Sequence, residues 1–132
     1  MMTQNDILTE VYKVVKASPI DALNGGIYKS IRPTDTGLED CVISLINGTN
    51  AKFLQDGALS VKIYYKDLNQ ANSYLEDTKR GGELETLLFN LSETLLGNNL
   101  ISFEIQTRQT YTARIEELKQ HYAILKINFK IT

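Results

Sequence analysis

From Ala58 to Lys66 the chain alternates without a break, with Leu59, Val61, Ile63 and Tyr65 on one parity and Ser60, Lys62, Tyr64 and Lys66 on the other. Successive strand side chains point to opposite faces, so this run predicts a strand with one apolar face and one face turned to water or to a partner. The same period returns over Tyr122 to Ile131, where Ala123, Leu125, Ile127, Phe129 and Ile131 oppose Lys126, Asn128 and Lys130. A sheet with one apolar face needs a cover. Two segments of helical period supply it. Ile7, Leu8, Val11, Val14 and Val15 form a stripe over Gln4 to Ala17, and Leu84, Leu87, Leu88, Leu91 and Leu95 form a wider one over Glu83 to Leu96. Thr3 with Asp6 forms a capping box with Asp in place of Glu or Gln. Ser18-Pro19 and Gly97-Asn98-Asn99 supply the two stops.

The remaining segments fit between these elements. After the Asn24-Gly25-Gly26 turn, Ile27 to Arg32 reads as a short strand ended by the loop Pro33 to Gly37, and Cys41 to Ile46 reads as an apolar, β-branched strand. Asn47-Gly48 is a hairpin dipeptide. The polar run Thr49 to Gly57 is then either a long loop or an extended arm. Asp67 to Gly82 predicts a surface connection with a helical turn around Ala71 to Glu76. Leu100 to Gln106 predicts a strand, extending toward Tyr111, with Ile101, Phe103 and Ile105 on its apolar face; Ala113 to Gln120 is either a short helix or the twisted end of a hairpin. The order α-β-β-β-α-β-β describes an α+β fold with two main helices packed on a largely antiparallel sheet of about five strands. The 132 residues suit a single domain over 1–132.

Charge and composition narrow the function classes. Fourteen Lys+Arg against sixteen Asp+Glu give a formal net charge of −2, which excludes a global basic excess for nonspecific nucleic-acid binding. No run of eighteen apolar residues and no basic-then-apolar leader occurs, so neither membrane spanning nor secretion by a signal peptide is expected. Cys41 is the only cysteine; it cannot form an internal disulfide and opens an apolar strand, which predicts a core residue in a chain that folds inside the cell. His121 is the only histidine, which rules out a multi-histidine metal site within one chain. The neighbouring carboxylates Glu39-Asp40, Glu76-Asp77 and Glu116-Glu117 diverge on any regular element. Nucleophile elbows, P-loops, dinucleotide fingerprints and metalloprotease helices are absent from the sequence. No enzyme activity, cofactor or metal is expected.

Two places suit a partner. Lys79-Arg80-Gly81-Gly82 precedes the second predicted helix, where free N–H groups favour an anion, although Glu83 and Glu85 already put negative charge in the first turn and make a self-capped loop the better reading. Lys62, Tyr64 and Lys66 share the polar face of the clearest strand. Tyrosine flanked by lysine stems suits a protein contact, and a merely solvated face is the competing reading.

The layout as a whole resembles a known family. The amphipathic N-terminal helix, the Gly25-Gly26-Ile27-Tyr28 turn into a strand ending at Arg32-Pro33, the strand Cys41-Val42-Ile43-Ser44-Leu45, the strand Val61-Lys62-Ile63-Tyr64-Tyr65, the leucine-rich helix and the final alternating strand are similar to the tail completion or tail terminator-like proteins of long-tailed bacteriophages and prophages. The resemblance covers nearly the full chain through element order and texture rather than a diagnostic motif. Asp67 to Gly82 and Thr107 to Gln120 match least well. The resemblance implies a structural virion protein, assembled in the bacterial host cytoplasm, that forms a ring, commonly a hexamer, at the head-proximal end of the tail or at the head–tail joint, where it caps or joins the tail. Its implied partners are other copies of itself, the tail tube protein and head–tail connector proteins, with no membrane and no specific nucleic-acid binding. Lys62, Tyr64, Lys66, Lys79 and Arg80 are the expected partner or oligomer contacts. The alternative is a small intracellular module that binds a peptide or nucleic acid through a sheet face.

Overall fold

The computed structural model describes residues 3–33, 36–48, 56–70, 73–96, 103–115 and 119–131. Helix α1 (Gln4–Lys16) starts at Thr3, whose side chain accepts from the Asp6 N–H while the Asp6 carboxylate accepts from the Thr3 N–H, which completes the expected capping box. Strands β1 (Ile27–Lys29), β2 (Cys41–Gly48) and β3 (Asp56–Lys66) follow, then a small separate pair, β4 (Leu68–Gln70) and β5 (Ser73–Leu75). Helix α2 (Thr78–Leu96) leads into two long strands, β6 (Phe103–Ile115) and β7 (Gln120–Ile131). The main sheet has five strands in the order β1-β2-β3-β7-β6. Only β1 and β2 are parallel; the other pairs are antiparallel.

The fold is α+β, with both helices on one face of a largely antiparallel sheet. The register of β3 against β7 sets Val61 opposite Leu125 and Ile63 opposite Ala123, so the apolar parities of the two best-patterned strands line one surface. Cys41 and Ile43 extend that surface across β2. On it lie the α1 stripe, Ile7 to Val15, and Leu84, Leu88, Leu91 and Leu95 of α2, all at most 8% exposed. Fully burying each such aliphatic side chain contributes about 1.5–3 kcal/mol, which offsets the modest intrinsic helicity of the valine-rich α1.

Four expectations need correction. The second helix begins at Thr78, not Glu83, because Asp77 caps it: its Oδ1 accepts from the Arg80 N–H at 3.1 Å. The helical turn expected around Ala71 to Glu76 is replaced by β5 in the described residues 73–75; the connection carries the β4–β5 pair, with 71 and 72 outside the description. The strand predicted to reach Arg32 ends at Lys29, because Ser30 takes a left-handed conformation (φ 68°) that turns the chain. The apolar alternation of β6 stops at Ile105. A register shift between Ile105 and Thr107 changes the phase, and beyond it the helix-facing positions hold Arg108 and Thr110, which meet polar groups of α2. The segment from Ala113 to Gln120 is the end of the β6–β7 hairpin rather than a helix, with 116–118 outside the description. The loop-or-arm question over Thr49 to Gly57 falls mostly on residues outside the described set, as does the stop at Gly97-Asn98-Asn99. Asp56 and Gly57 themselves pair in β3.

Gly81 and Gly82 enter α2 on different terms. A Cβ on buried Gly81 would lie 2.6 Å from the Tyr65 hydroxyl, whereas one on Gly82 would meet nothing within 4 Å. Gly81→Ala should therefore destabilise the fold by about 1–3 kcal/mol through overpacking. Gly82→Ala should stabilise it by about 0.5–1 kcal/mol through helix propensity. Urea denaturation of the two variants checks both signs.

Candidate functional site

The sheet face away from the helices has no covering layer among the described residues. Lys62, Tyr64 and Lys66 of β3 all point to it, and the register adds Tyr122, Ile124 and Lys126 from β7 and Tyr111 from β6. Tyr64 sits opposite Tyr122 with ring centroids 5.9 Å apart. The Lys62 ammonium lies 4.8 Å from the Tyr122 ring, and the Arg32 guanidinium 4.0 Å from the Tyr64 ring. Burial of Tyr64 raises its phenol pKa, against the opposing charge of Arg32. Ile124 beneath this layer is only 4% exposed and Ser60 only 2%. The longer side chains at the centre of this face therefore cover Ile124 and Ser60, while Lys66 and Tyr111 stay exposed.

One end of that face is closed by the segment between β1 and β2, held by Asp40. Its carboxylate is completely buried, and it accepts from the Gly26 N–H (3.1 Å), Arg32 Nε (2.9 Å) and Thr36 Oγ1 (2.7 Å). Burial pushes the Asp40 pKa up, but the bonds from Thr36, Arg32 and Gly26 and the Arg32 charge outweigh it and hold the group below its ordinary value. Arg32 also donates to Gln120 Oε1 at 3.1 Å, which ties the segment to β7. Gly25 is required at the same junction, since a Cβ there would lie 2.3 Å from the Glu39 backbone. Cys41, next to Asp40, is a core residue whose thiol is pushed up to about 12 by burial and by the Asp40 charge. That is the setting of an inert thiol.

A second polar cluster holds the β4–β5 pair. Asp67, just before β4, lies 2.5 Å through Oδ1 from His121 Nδ1, and Glu76, just after β5, accepts from the Tyr65 hydroxyl at 3.0 Å. His121 Nε2 faces Glu76 at 3.9 Å. The Asp67 side chain is 1% exposed, and its Oδ2 has no hydrogen-bond partner among the described residues. Burial and the bond to Glu76 raise the Tyr65 pKa. The pair itself exposes Leu68 (40%), Tyr74 (39%) and Leu75 (52%), with the Lys119 ammonium 4.1 Å from the Tyr74 ring.

The structure divides the five residues expected to make contacts between two places, although Lys66 and Arg80 line the same cleft. Lys62, Tyr64 and Lys66 share one face. Lys79 and Arg80 lie elsewhere, inside the first turn of α2. Arg80 is not free to hold an anion. It makes two bonds to Glu39 (2.6 and 2.7 Å) and one to Glu83 (3.0 Å), which together drive its pKa further up. The neighbouring cleft of about 370 Å³ includes Glu39, Asp77 and Arg80 in its lining, so acids stand beside the cation. Sequence reasoning missed Arg32, Tyr111, Tyr122 and Lys126 on the face, and Leu68, Tyr74 and Leu75 on the strand pair. The parity of β7 already placed Tyr122 and Lys126 on the polar side. Nothing local pointed to Arg32. Among the described residues no three His, Cys, Asp or Glu side chains converge as metal ligands, and no helix is long and apolar enough to cross a membrane.

Arg32→Met leaves the Asp40 carboxylate buried without its cation and should destabilise the protein by about 3 kcal/mol, with Asp40→Asn in the same chain recovering part of the loss. Chemical denaturation of the single and double variants checks this. The folded pKa of Asp40 lies below 3.8, so its contribution is complete at neutral pH and is lost as pH falls through that lower value. Asp40→Asn should accordingly flatten the acid limb of stability against pH. His121→Ala strips Asp67 of its only side-chain partner among the described residues and should cost on the order of 1–3 kcal/mol, again read by denaturation.

No protein-family model matches the chain, and no curated protein matches it.

Proposed function

We propose that this protein is a non-enzymatic building block that acts by assembling with copies of itself, as a ring at the head-proximal end of the tail of a long-tailed phage or prophage. There it caps the tail tube and offers a docking surface to head–tail connector proteins. The β4–β5 pair carries this reading. A two-stranded unit of three residues a side is marginal alone, yet here both strands are anchored at the base, by Asp67–His121 and Glu76–Tyr65, while the pair presents Leu68, Tyr74 and Leu75 to solvent. An anchored ribbon with exposed apolar side chains suits a contact with another protein chain. The layout of the chain, similar to tail completion proteins, supplies the setting.

The three lysines of the open face favour a second reading, a small module that binds a peptide or nucleic acid. Against the nucleic-acid form, the Tyr64 and Tyr122 rings are engaged by Arg32 and Lys62, which compete with stacked bases for their faces.

Leu68→Ser with Leu75→Ser should leave thermal unfolding within a few degrees of the wild type and abolish ring assembly in size-exclusion chromatography with light scattering. A wild-type protein that stays monomeric at high concentration, and also in the presence of tail tubes, overturns the assembly reading.

A further inference from the structure

The two edges of the main sheet are built differently. At one edge β1 is three residues long, ends in Lys29 and runs into the left-handed turn at Ser30. At the other, β6 runs for thirteen residues, and no strand pairs with its outer side among the described residues. Beyond the register shift, its stretch from Thr107 to Ile115 holds no proline, glycine or lysine, and none of those residues is buried. Thr107, Thr110, Tyr111, Thr112 and Ile115 all favour strand. Arg108 is drawn back onto Ser92 and Glu93 of α2, so it does not guard the edge. Sheets blunt a free edge with short strands, lysine or proline. That is done at β1 and not along β6.

The hydrogen-bond phase of the sheet fixes which groups of β6 point outward. The Tyr64 N–H donates to the Asp40 carbonyl at 3.0 Å and the Asp67 N–H to the Lys119 carbonyl at 3.1 Å. Even-numbered residues of β3 therefore turn their amides to β2, and odd-numbered ones to β7. Carried through the register of β7, this aims the amides of Thr107, Gln109, Tyr111, Ala113 and Ile115 at β7. The N–H and C=O groups of Arg108, Thr110, Thr112 and Arg114 point away from the sheet, and they have no backbone partner among the described residues. A hollow of about 290 Å³ between α2 and β6, lined by Phe89 and Thr110 among others, leaves room on the helix side for the side chains of an added strand.

We propose that β6 pairs with β6 of a second copy, antiparallel and about a two-fold axis at Gln109. Outward-pointing residues must lie opposite one another, so the axis passes through a residue and not between two. Centres at Arg108 and Tyr111 set Arg108 against itself or against Arg114, and like charges directly opposite are destabilising. A centre at Thr110 sets Thr107 against Ala113. The centre at Gln109 sets Arg108 against Thr110 and Tyr111 against Thr107, an aromatic with a β-branched residue on each side of the axis. The register shift before Thr107 then brings Ile105 opposite Thr112. The occupant is a second copy because this one pairing closes the long edge of both molecules and leaves only the short β1 edges, whereas any other strand brings an unpaired edge of its own. The contact is isologous and closes at two copies. It is therefore distinct from the heterologous contact of a ring and goes beyond the assembly reading.

The test uses the Leu68→Ser, Leu75→Ser chain, which lacks the ribbon contact, with sedimentation equilibrium and disulfide trapping. That chain should sediment as a dimer, and Thr110→Pro, which removes an outward N–H, should weaken the dimer at least tenfold in Kd. Circular dichroism establishes that the proline variant is folded, and Thr110→Lys replaces it if it is not. At the axis, residue 109 faces its own copy in a pair without backbone bonds, with Cβ atoms about 4.5–5.5 Å apart. Cys41 is buried and inert, so Gln109→Cys supplies the reactive thiol. With oxidised glutathione it should cross-link to a dimer, and Lys13→Cys on the exposed side of α1 should not. A monomer, a dimer unaffected by the Thr110 variants, or cross-linking at 109 no greater than at 13 overturns the proposal. If the wild type also stops at this dimer, the ring reading falls and the β6 pairing stands.

Discussion

The buried Asp40 carboxylate closes the geometry on which the sheet depends. Parallel pairing of β1 with β2 obliges the chain to return between Lys29 and Cys41 without a helix to carry it. Most parallel crossovers use a helix. Here the return is pinned by the bonds to Asp40 from Gly26, Arg32 and Thr36, and by the Cys41 N–H to the Gly26 carbonyl at 2.8 Å. Because Arg32 satisfies that carboxylate, it is also held over the Tyr64 ring and bonded to Gln120. One desolvated charge therefore orders the strand crossover and one end of the open sheet face together.

A similar economy governs the other end of β3. Tyr65 has its ring in the core and its hydroxyl on Glu76, and it leaves room for α2 only because residue 81 is glycine. His121 and Asp67 complete the link between β7 and the base of the β4–β5 pair. Groups that would count as catalytic in a list of residue types are thus engaged in holding a surface element. What remains exposed is apolar contact area on that element and charge on the sheet.

Legibility from sequence followed the range of the interactions involved. The α1 stripe, the α2 leucines and the alternation of β3 and β7 are local patterns of 3.6 or 2, and their residues make the observed core. The failures have long-range causes. Gly81-Gly82 looked like a break before a helix, yet Asp77 caps a helix that runs through both. β6 lost its alternation because its register shift turns Arg108 toward Ser92 and Glu93 of α2, so polar residues occupy both its faces. The self-capped reading of Lys79-Arg80-Gly81-Gly82 named only nearby acids, and it missed Glu39 on Arg80 because that partner lies forty-one residues away.

Unbroken alternation with two apolar helical stripes was enough to determine an α+β fold with a one-sided sheet, since side-chain period and the need to bury apolar surface are properties of the chain itself. The sequence alone also determined that Lys62, Tyr64 and Lys66 share a face. Which charges are spent inside the molecule and which are left for contact was decided only by tertiary structure. Arg32, Arg80 and Arg108 find their acids through sheet order and helix placement, while the lysines of the open face find none among the described residues. Pairing of charges depends on distances in space, and no spacing along the chain encodes them.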